Sequence, residues 1–149
     1  SVQRGWTRTA ALADVAARLG DANMVDSVLP VYLDAVREDQ ALLLRNALKR
    51  CPTQLVATRM PAFVGNTRRS NLRAAALLTE LPAATAQATM TNLLQRPSHP
   101  QVQMHLCEGL LAAGVSSASL SPMVPAAVLQ LAVARQNRRP TFRNIQPLR

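Results

Sequence analysis

The stretch that decides the fold is residues 71–113, where one pattern of apolar residues occurs and then begins again. It reads NLRAAALLTELP (71–82), continues through the apolar segment ATMTNLL (88–94), breaks at PSHP (97–100) and restarts as VQMHLCEGLLAA (102–113). Apolar residues spaced three and four apart favour helices, whereas proline and glycine mark helix ends. We therefore predict a helix, a short turn, a second helix, a polar loop and the start of the same unit again.

This unit repeats with a period of 30 residues. Apolar residues recur 30 positions apart in three successive units, namely Leu42, Leu72 and Val102, then Ala47, Leu77 and Cys107, then Cys51, Leu81 and Leu111. Self-similarity with a period of this size is typical of helical solenoids, in which each unit buries its apolar face only by stacking on its neighbours. The repeat therefore predicts architecture more firmly than it predicts function.

Extended along the chain, the pattern predicts four helix pairs in a domain of residues 1–134. The paired helices cover residues 7–19 and 24–39, 41–51 and 55–64, 72–81 and 86–94, and 102–113 and 123–131. From Arg135 onward the periodicity stops, so we predict an extended, basic C-terminal arm over residues 135–149. Its candidate contact residues are Arg138, Arg139, Phe142, Arg143 and Ile145.

Prolines recur in the second helices of the pairs. Leu29-Pro30, Met60-Pro61, Met90-Thr91 and Val124-Pro125 follow one another at separations of 31, 30 and 34 residues, and the third pair has threonine in place of proline. Proline is tolerated in the first turn of a helix because its missing N–H has no partner there. We therefore predict that these prolines mark first turns, with a longer, kinked helix as the alternative for the first pair.

The paired amphipathic helices, the Leu-Pro and Met-Pro pairs and Leu72-Arg73 at the start of a first helix resemble HEAT repeats over residues 7 to about 133. The period is shorter than the usual length of about 40 to 47 residues. The likeness is therefore to the compact HEAT-like repeats of bilin-lyase-type proteins and some alkylpurine DNA glycosylases. It implies an all-α fold, an α-α superhelix of about four HEAT-like hairpins, and a non-catalytic scaffold for protein–protein interaction within a larger protein or assembly.

Composition agrees with an all-helical core. Hydrophobic residues make up 48% of the chain but aromatic residues only 3%, so Ala, Leu, Val and Met must build the core.

No apolar run approaches the roughly 20 residues that span a bilayer, and we expect an intracellular, cytoplasmic protein. Cys51 and Cys107 stand where leucine stands in other repeats, and we expect them to be buried and unpaired.

The net charge of +9 is unevenly distributed. Residues 40–100 hold seven arginines and Lys49 against Glu80 alone. We predict that stacking makes this cluster a contiguous basic ridge for a partner, formed by Arg45, Lys49, Arg50, Arg59, Arg68, Arg69 and Arg73. An acidic protein surface is the expected partner, nucleic-acid phosphates are the alternative, and a merely solvated face is the third possibility.

Residues able to carry out chemistry are few. His99 lies in a loop, and the pair His105 and Glu108 lacks the further ligands of a zinc site, so we predict that this pair lies on a solvated helix face. A glycosylase site would need aromatic and acidic groups, for which the chain offers Trp6 and Tyr32 with Asp14 and Asp34. We therefore predict no enzymatic activity, no metal and no cofactor.

Overall fold

The computed structural model describes residues 21–138 and, before them, residues 8, 9, 11, 12, 14 and 15, all six of which are helical. Within this part of the chain there are helices and loops and no β-strand, so the prediction of an all-α fold is confirmed. Residues 21–138 form α1 (Ala22–Asp34), α2 (Glu38–Arg50), α3 (Thr53–Arg59), α4 (Arg68–Glu80), α5 (Ala83–Leu94), α6 (Pro100–Ala112), α7 (Ser117–Leu120) and α8 (Ala126–Arg138), with a 3-10 turn at Met60–Ala62 after α3.

Side-chain caps explain where several helices begin. Asp21 Oδ1 accepts a hydrogen bond from the Met24 amide at 2.8 Å before α1, and Thr67 Oγ1 accepts one from the Ser70 amide at 3.1 Å before α4. Each cap satisfies an amide that has no partner inside the helix. Pro52 and Pro82 occupy the N-cap positions of α3 and α5, so the second helices begin at these prolines, 30 residues apart in the sequence.

The prediction that the other prolines mark first turns of second helices is wrong in two cases. Pro30 lies inside α1, which starts eight residues earlier at Ala22. Pro61 follows α3 and lies at the start of the 3-10 turn. Pro125 does immediately precede α8, as predicted, whereas Met90 and Thr91 lie deep inside α5.

Pro61 ends α3 for a reason visible in the hydrogen bonds. Proline has no N–H, so it cannot donate to the carbonyl of Ala57 four residues earlier. Thr89 of α5 makes this bond instead, with its Oγ1 donating to Ala57 O at 2.9 Å. Arg96, after α5, donates to Pro61 O at 3.0 Å. Contacts from the next helix pair therefore satisfy the carbonyls around the proline turn.

The helices α2 and α4 lie side by side and run in the same direction. Glu38 at the start of α2 pairs with Arg73 at 3.0 Å, and Arg45 lies 3.0 Å from Glu80 at the end of α4. In each pair the two residues are 35 positions apart in the sequence. Two contacts in the same register, seven residues apart along each helix, require parallel packing.

The same relation continues to α6, which contacts α4. At their carboxyl ends the backbone of Gly109 approaches α4 and α5 so closely that an added Cβ would lie 2.9 Å from Thr79 Cγ2 and 2.8 Å from Met90 Sδ. A larger residue at position 109 would separate these helices. The helices α2, α4 and α6 thus form one row, and α3 and α5 contact each other in a second row.

The last helix pair departs from this pattern. The short α7 and the longer α8 replace a single second helix, and α8 packs chiefly on α6. Residues 135–138, predicted as the start of the extended arm, instead form the last turn of α8, where Arg135 and Arg138 face the negative end of the helix dipole. Residues 139–149, which include Arg139, Phe142, Arg143 and Ile145, lie outside the described residues.

The core is aliphatic and runs through all the helices from α1 to α8. Both cysteines are buried in it, as predicted, and both are free thiols and not a disulfide. Burial raises the pKa of the Cys51 thiol and raises the pKa of Cys107 to about 11. Each cysteine therefore serves as a small apolar residue of the core.

A reciprocal pair of hydrogen bonds joins α1 to α4. The Tyr32 hydroxyl donates to Arg73 O at 2.6 Å, and Arg73 Nη1 donates to Tyr32 O at 3.2 Å. Tyr32 is fully buried and Arg73 is only 7% exposed. A second guanidinium nitrogen of Arg73 donates to Glu38 of α2 at 3.0 Å. These two residues therefore connect three helices.

The contact between Thr89 and Ala57 can be tested by Thr89→Val, which keeps the shape of the side chain and removes the donor. We expect a loss of about 1 to 3 kcal/mol in the free energy of unfolding, because Ala57 O remains buried without this donor. The matched control is Thr91→Val on the same helix, where the hydroxyl donates to Gln87 O within α5. Urea unfolding of both variants is the measurement, and equal midpoints would contradict the assignment.

The buried hydroxyl of Tyr32 can be followed directly because the chain contains one tyrosine. Burial raises the pKa of Tyr32 to about 12, more than the nearby Arg45 and Arg73 lower it. Since the unfolded chain releases this proton near pH 10, the contribution of Tyr32 to folding stability should be constant below pH 10 and should be lost as the pH rises from 10 to 12. Absorbance at 295 nm should give a midpoint well above 10 for the folded chain and near 10 in denaturant. Ionisation near pH 10 with the helices intact by circular dichroism would contradict this prediction.

Candidate functional site

A polar groove of about 240 Å³ lies across α2, α4 and α6. Its polar lining comes from all three helices and consists of Glu38, Arg45, Arg73, Thr79, Gln101, His105 and Glu108. A groove lined by acidic and basic side chains could bind a charged ligand only if some of these side chains were not already paired with one another. The ion pairs within the protein show which of them are paired.

The acidic groups in and beside the groove have basic partners on other helices. Glu38 pairs with Arg73, and Glu108 forms an ion pair with Arg135 of α8. Glu80 lies 3.0 Å from Arg45 Nε, a distance suited to an ion pair although the donor is not aligned for a hydrogen bond, and 3.9 Å from Lys49 Nζ. The groove therefore holds helices together and offers little unpaired charge to a ligand.

Glu108 corrects one prediction. It was expected on a solvated helix face with His105, but it is only 3% exposed, while His105 is half-buried in the groove wall. The 30-residue period contains a signal for this, because the residues 30 and 60 positions earlier, Leu78 and Leu48, are both fully buried. A glutamate at a leucine position of the repeat indicates a buried charge that needs a partner.

The seven residues of the predicted basic ridge have different environments. Arg73 is buried and bonded to Tyr32 and Glu38, so it is corrected from a partner-binding residue to a structural one. Arg59 pairs with Asp26 of α1 at 2.7 Å, and Arg45 and Lys49 share Glu80. Three members are exposed and form no ion pair with a described residue: Arg50, Arg68 and Arg69.

These three arginines do not lie at one place. Arg50 is the last residue of α2, whereas Arg68 and Arg69 begin α4. Because α2 and α4 are parallel, the two groups lie at opposite ends of helices about 20 Å long. The seven residues therefore do not form one contiguous ridge.

Arg68 and Arg69 are the first two residues of α4 and directly follow a loop whose backbone is fixed by hydrogen bonds. The Gly65 amide donates to Ser70 Oγ at 3.0 Å. Asn71 Nδ2 donates to Gly65 O at 3.0 Å and to Thr67 O at 2.8 Å. Ser70 is buried, whereas the two arginines next to it are exposed. The loop and the start of α4 thus present two exposed cations from a well-defined backbone.

Arg96 lies at the same edge of the molecule. Residues 63–67 connect α3 and its 3-10 turn to α4, and residues 95–99 make the equivalent connection from α5 to α6. Since the helices of each row are parallel, both loops lie at the same end of the rows, and Arg96 reaches back to Pro61 O. We call Arg68, Arg69 and Arg96 the basic edge. The sequence analysis did not include Arg96 in the predicted ridge. The signal was present, because Arg96 lies at the start of a polar loop equivalent to the one that Arg68 follows.

The electrostatics of Arg68 and Arg69 are unfavourable for the helix that carries them. They occupy the first turn of α4, which contains no acidic residue. The amino end of a helix carries partial positive charge, so a cation there destabilises the helix by about 0.3 to 1 kcal/mol. The fold itself therefore does not account for these two arginines.

The residues considered for catalysis are dispersed. Tyr32 is buried and bonded to Arg73 O, Asp34 and Asp14 are exposed, and Trp6 lies outside the described residues. In the described part of the chain, no three His, Cys, Asp or Glu side chains come together as metal ligands would. None of the described helices is both long enough and apolar enough to cross a membrane.

For the ion pair between Glu108 and Arg135, we expect that removing the arginine alone is costly, whereas replacing both residues is not. Arg135→Ala should cost about 2 to 3 kcal/mol of unfolding free energy, because it removes the cation that faces a buried carboxylate. Adding Glu108→Leu, the residue of the two earlier repeats, should restore most of that loss. Arg138→Ala, which removes an exposed arginine from the same helix turn, is the control and should change stability little. Urea midpoints that fall further in the double variant than in Arg135→Ala would contradict the assignment.

Comparisons of the chain with models of protein families, with curated protein sequences and with solved structures found no match.

Proposed function

We propose that this chain is a non-catalytic helical-repeat scaffold that binds an acidic segment of a protein partner through the basic edge. The observation that carries the proposal is the pair Arg68 and Arg69, which are exposed at the start of α4 beside a hydrogen-bonded loop and form no ion pair with any described acid. Cations kept where they weaken their own helix are expected to bring a gain elsewhere. Binding of negative charge is that gain.

The architecture we propose for this scaffold is an α-α superhelix of HEAT-like hairpins. It is supported by the parallel row α2, α4 and α6, by the contact between α3 and α5, and by the 30-residue period of the sequence. In such stacks the loops that join successive hairpins line one edge. Arg68 and Arg69 directly follow one loop of this kind and Arg96 lies in the next, so a partner segment could contact both places at once.

An acidic protein is favoured over nucleic acid by the way the cations are divided. Phosphate backbones are typically bound by a continuous stripe or patch of Lys and Arg. Here Arg45 and Lys49 share Glu80 at one end of the rows, while Arg68 and Arg69 lie at the other end. A short patch with three cations suits a short acidic segment better than an extended phosphate backbone.

The test is the double variant Arg68→Glu with Arg69→Glu. We expect binding of a fluorescein-labelled peptide rich in Glu and Asp to weaken at least tenfold, because the charge of the patch is reversed. We also expect the free energy of unfolding to rise by about 1 to 2 kcal/mol, because acids at the amino end of α4 are favourable. Fluorescence anisotropy and urea unfolding measure these two effects.

The matched control is Arg50→Glu with Arg138→Glu, which changes the net charge equally. These arginines lie in the last turns of α2 and α8, where cations are favourable, so this variant should be less stable yet bind the peptide nearly as well. Equal loss of peptide binding in both variants would show that only net charge matters and would refute the basic edge. Tighter binding of duplex DNA than of the peptide, with a steep dependence on salt, would assign the edge to nucleic acid instead.

A further inference from the structure

Asp34 is an exposed acid at an unfavourable end of its helix. It is the last residue of α1, where the final carbonyl groups carry partial negative charge, so an anion there destabilises the helix. Among the described residues no cation forms an ion pair with it. Asp34 is therefore the counterpart, with opposite sign, of Arg68 and Arg69.

The topology brings these opposite charges to one edge of the molecule. Residues 35–37 connect α1 to α2, as residues 63–67 lead into α4. Because α2 and α4 are parallel and in contact, their starts lie side by side, about 8 to 10 Å apart. Acidic and basic positions therefore occur on neighbouring connections at the same edge, separated by the spacing of two packed helices.

Residues 34–39 are acidic overall and include an exposed apolar side chain. They contain three acids and one arginine, which gives a net charge of −2. Glu38 pairs with Arg73, yet its side chain remains 90% exposed. Val36 lies between the acids and is 76% exposed. This short segment therefore has the negative charge that the basic edge requires, together with an apolar side chain that contact with another molecule would cover.

An edge with neighbouring positions of opposite charge is complementary to itself. When two copies face each other with these edges antiparallel, a two-fold axis between the connections brings the acidic position of each copy opposite the basic position of the other. An acidic peptide would neutralise Arg68 and Arg69 but would be repelled by Asp34. A second copy neutralises all three residues at once.

We infer that the acidic segment bound by the basic edge is residues 34–39 of a second copy of this chain, in a dimer with two-fold symmetry. The inference rests on the function proposed above, because it names the source of the acidic segment. Each contact is made twice in such a dimer, so Asp34 of each copy faces Arg68 and Arg69 of the other. The exposed Val36 of each copy is covered by the same contact.

The net charge of +9 opposes this association at long range. At physiological ionic strength, however, the Debye length is about 8 Å, so repulsion between distant charges is largely screened while charges in direct contact still attract each other. The contacts between the two edges, and not the net charge, should therefore decide whether the chain dimerises under these conditions.

Sedimentation equilibrium of the full chain at physiological ionic strength tests the pairing by exchange of charges. The native chain should dimerise at about 0.1 mM. Asp34→Arg, and separately Arg68→Glu with Arg69→Glu, should each raise the dissociation constant of the dimer at least tenfold, because each places like charges opposite one another. An equimolar mixture of the two variants should form a heterodimer about as tightly as the native chain. In that heterodimer the introduced arginine faces the two introduced glutamates, and the other contact is native.

The control is again Arg50→Glu with Arg138→Glu, which lowers the net charge from +9 to +5, as Arg68→Glu with Arg69→Glu does. The control changes no residue of the basic edge and none of residues 34–39. Its dimer should be at least as tight as the native one, because a smaller net charge weakens the repulsion between copies. A monomeric native chain at about 0.1 mM, no association in the mixture, or an equal loss in the control would each overturn the inference.

Peptide binding distinguishes failure of this inference from failure of the function on which it rests. If the native chain is a monomer and the labelled acidic peptide still loses affinity in Arg68→Glu with Arg69→Glu, the basic edge binds acidic segments and only the identity of the partner is overturned. If the same variant changes neither peptide binding nor dimerisation, both the proposed function and this inference are overturned.

Discussion

The contact on which the arrangement of helices depends is the reciprocal pair of hydrogen bonds between Tyr32 and Arg73. Each side chain donates to the backbone carbonyl of the other residue, and the two residues are 41 positions apart. Arg73 also donates to the largely exposed carboxylate of Glu38, so α1, α2 and α4 meet at one place. Loss of either side chain would leave buried polar groups without partners, which is costly in a region of low dielectric constant.

The other polar contacts between helices also satisfy charged or polar groups across a helix interface, but each of them joins only two elements. Glu38 with Arg73 and Arg45 with Glu80 define the register of α2 against α4 at two points that are seven residues apart on each helix. Thr89 and Arg96 satisfy carbonyls around the proline turn after α3, and Glu108 with Arg135 joins α6 to α8. Aliphatic packing supplies most of the burial but specifies register weakly, whereas these polar contacts have only one geometry in which they are satisfied.

The positions of the helices could be predicted from the sequence because apolar spacing and proline are local signals. Residues 72–81 and 102–113 were predicted as helices, and α4 and α6 cover them except for one residue at each carboxyl end, beginning four and two residues earlier than predicted. The roles of charged residues could not be predicted in the same way, since the partner of Arg73 lies 35 residues away and that of Glu108 lies 27 residues away. The pair Leu72-Arg73 was used as a sign of a HEAT-like helix. Arg73 was nevertheless assigned to the predicted basic ridge, only because it is positively charged. Comparing position 108 with the leucines at 48 and 78 would have identified the buried glutamate.

Most of the Arg and Lys side chains between residues 40 and 138 have a stabilising environment in the fold, and two arginines do not. The acids of this segment, Glu80 and Glu108, are both engaged between helices. Arg59 and Arg73 take acids from before residue 40, and Arg96 donates to a carbonyl. Arg50 and Arg138 lie at carboxyl ends of helices, where the dipole favours them. Arg68 and Arg69 have neither an acid nor a favourable dipole among the described residues, so the contacts within the described fold do not explain their position, and the acidic partner that we propose would supply the missing negative charge.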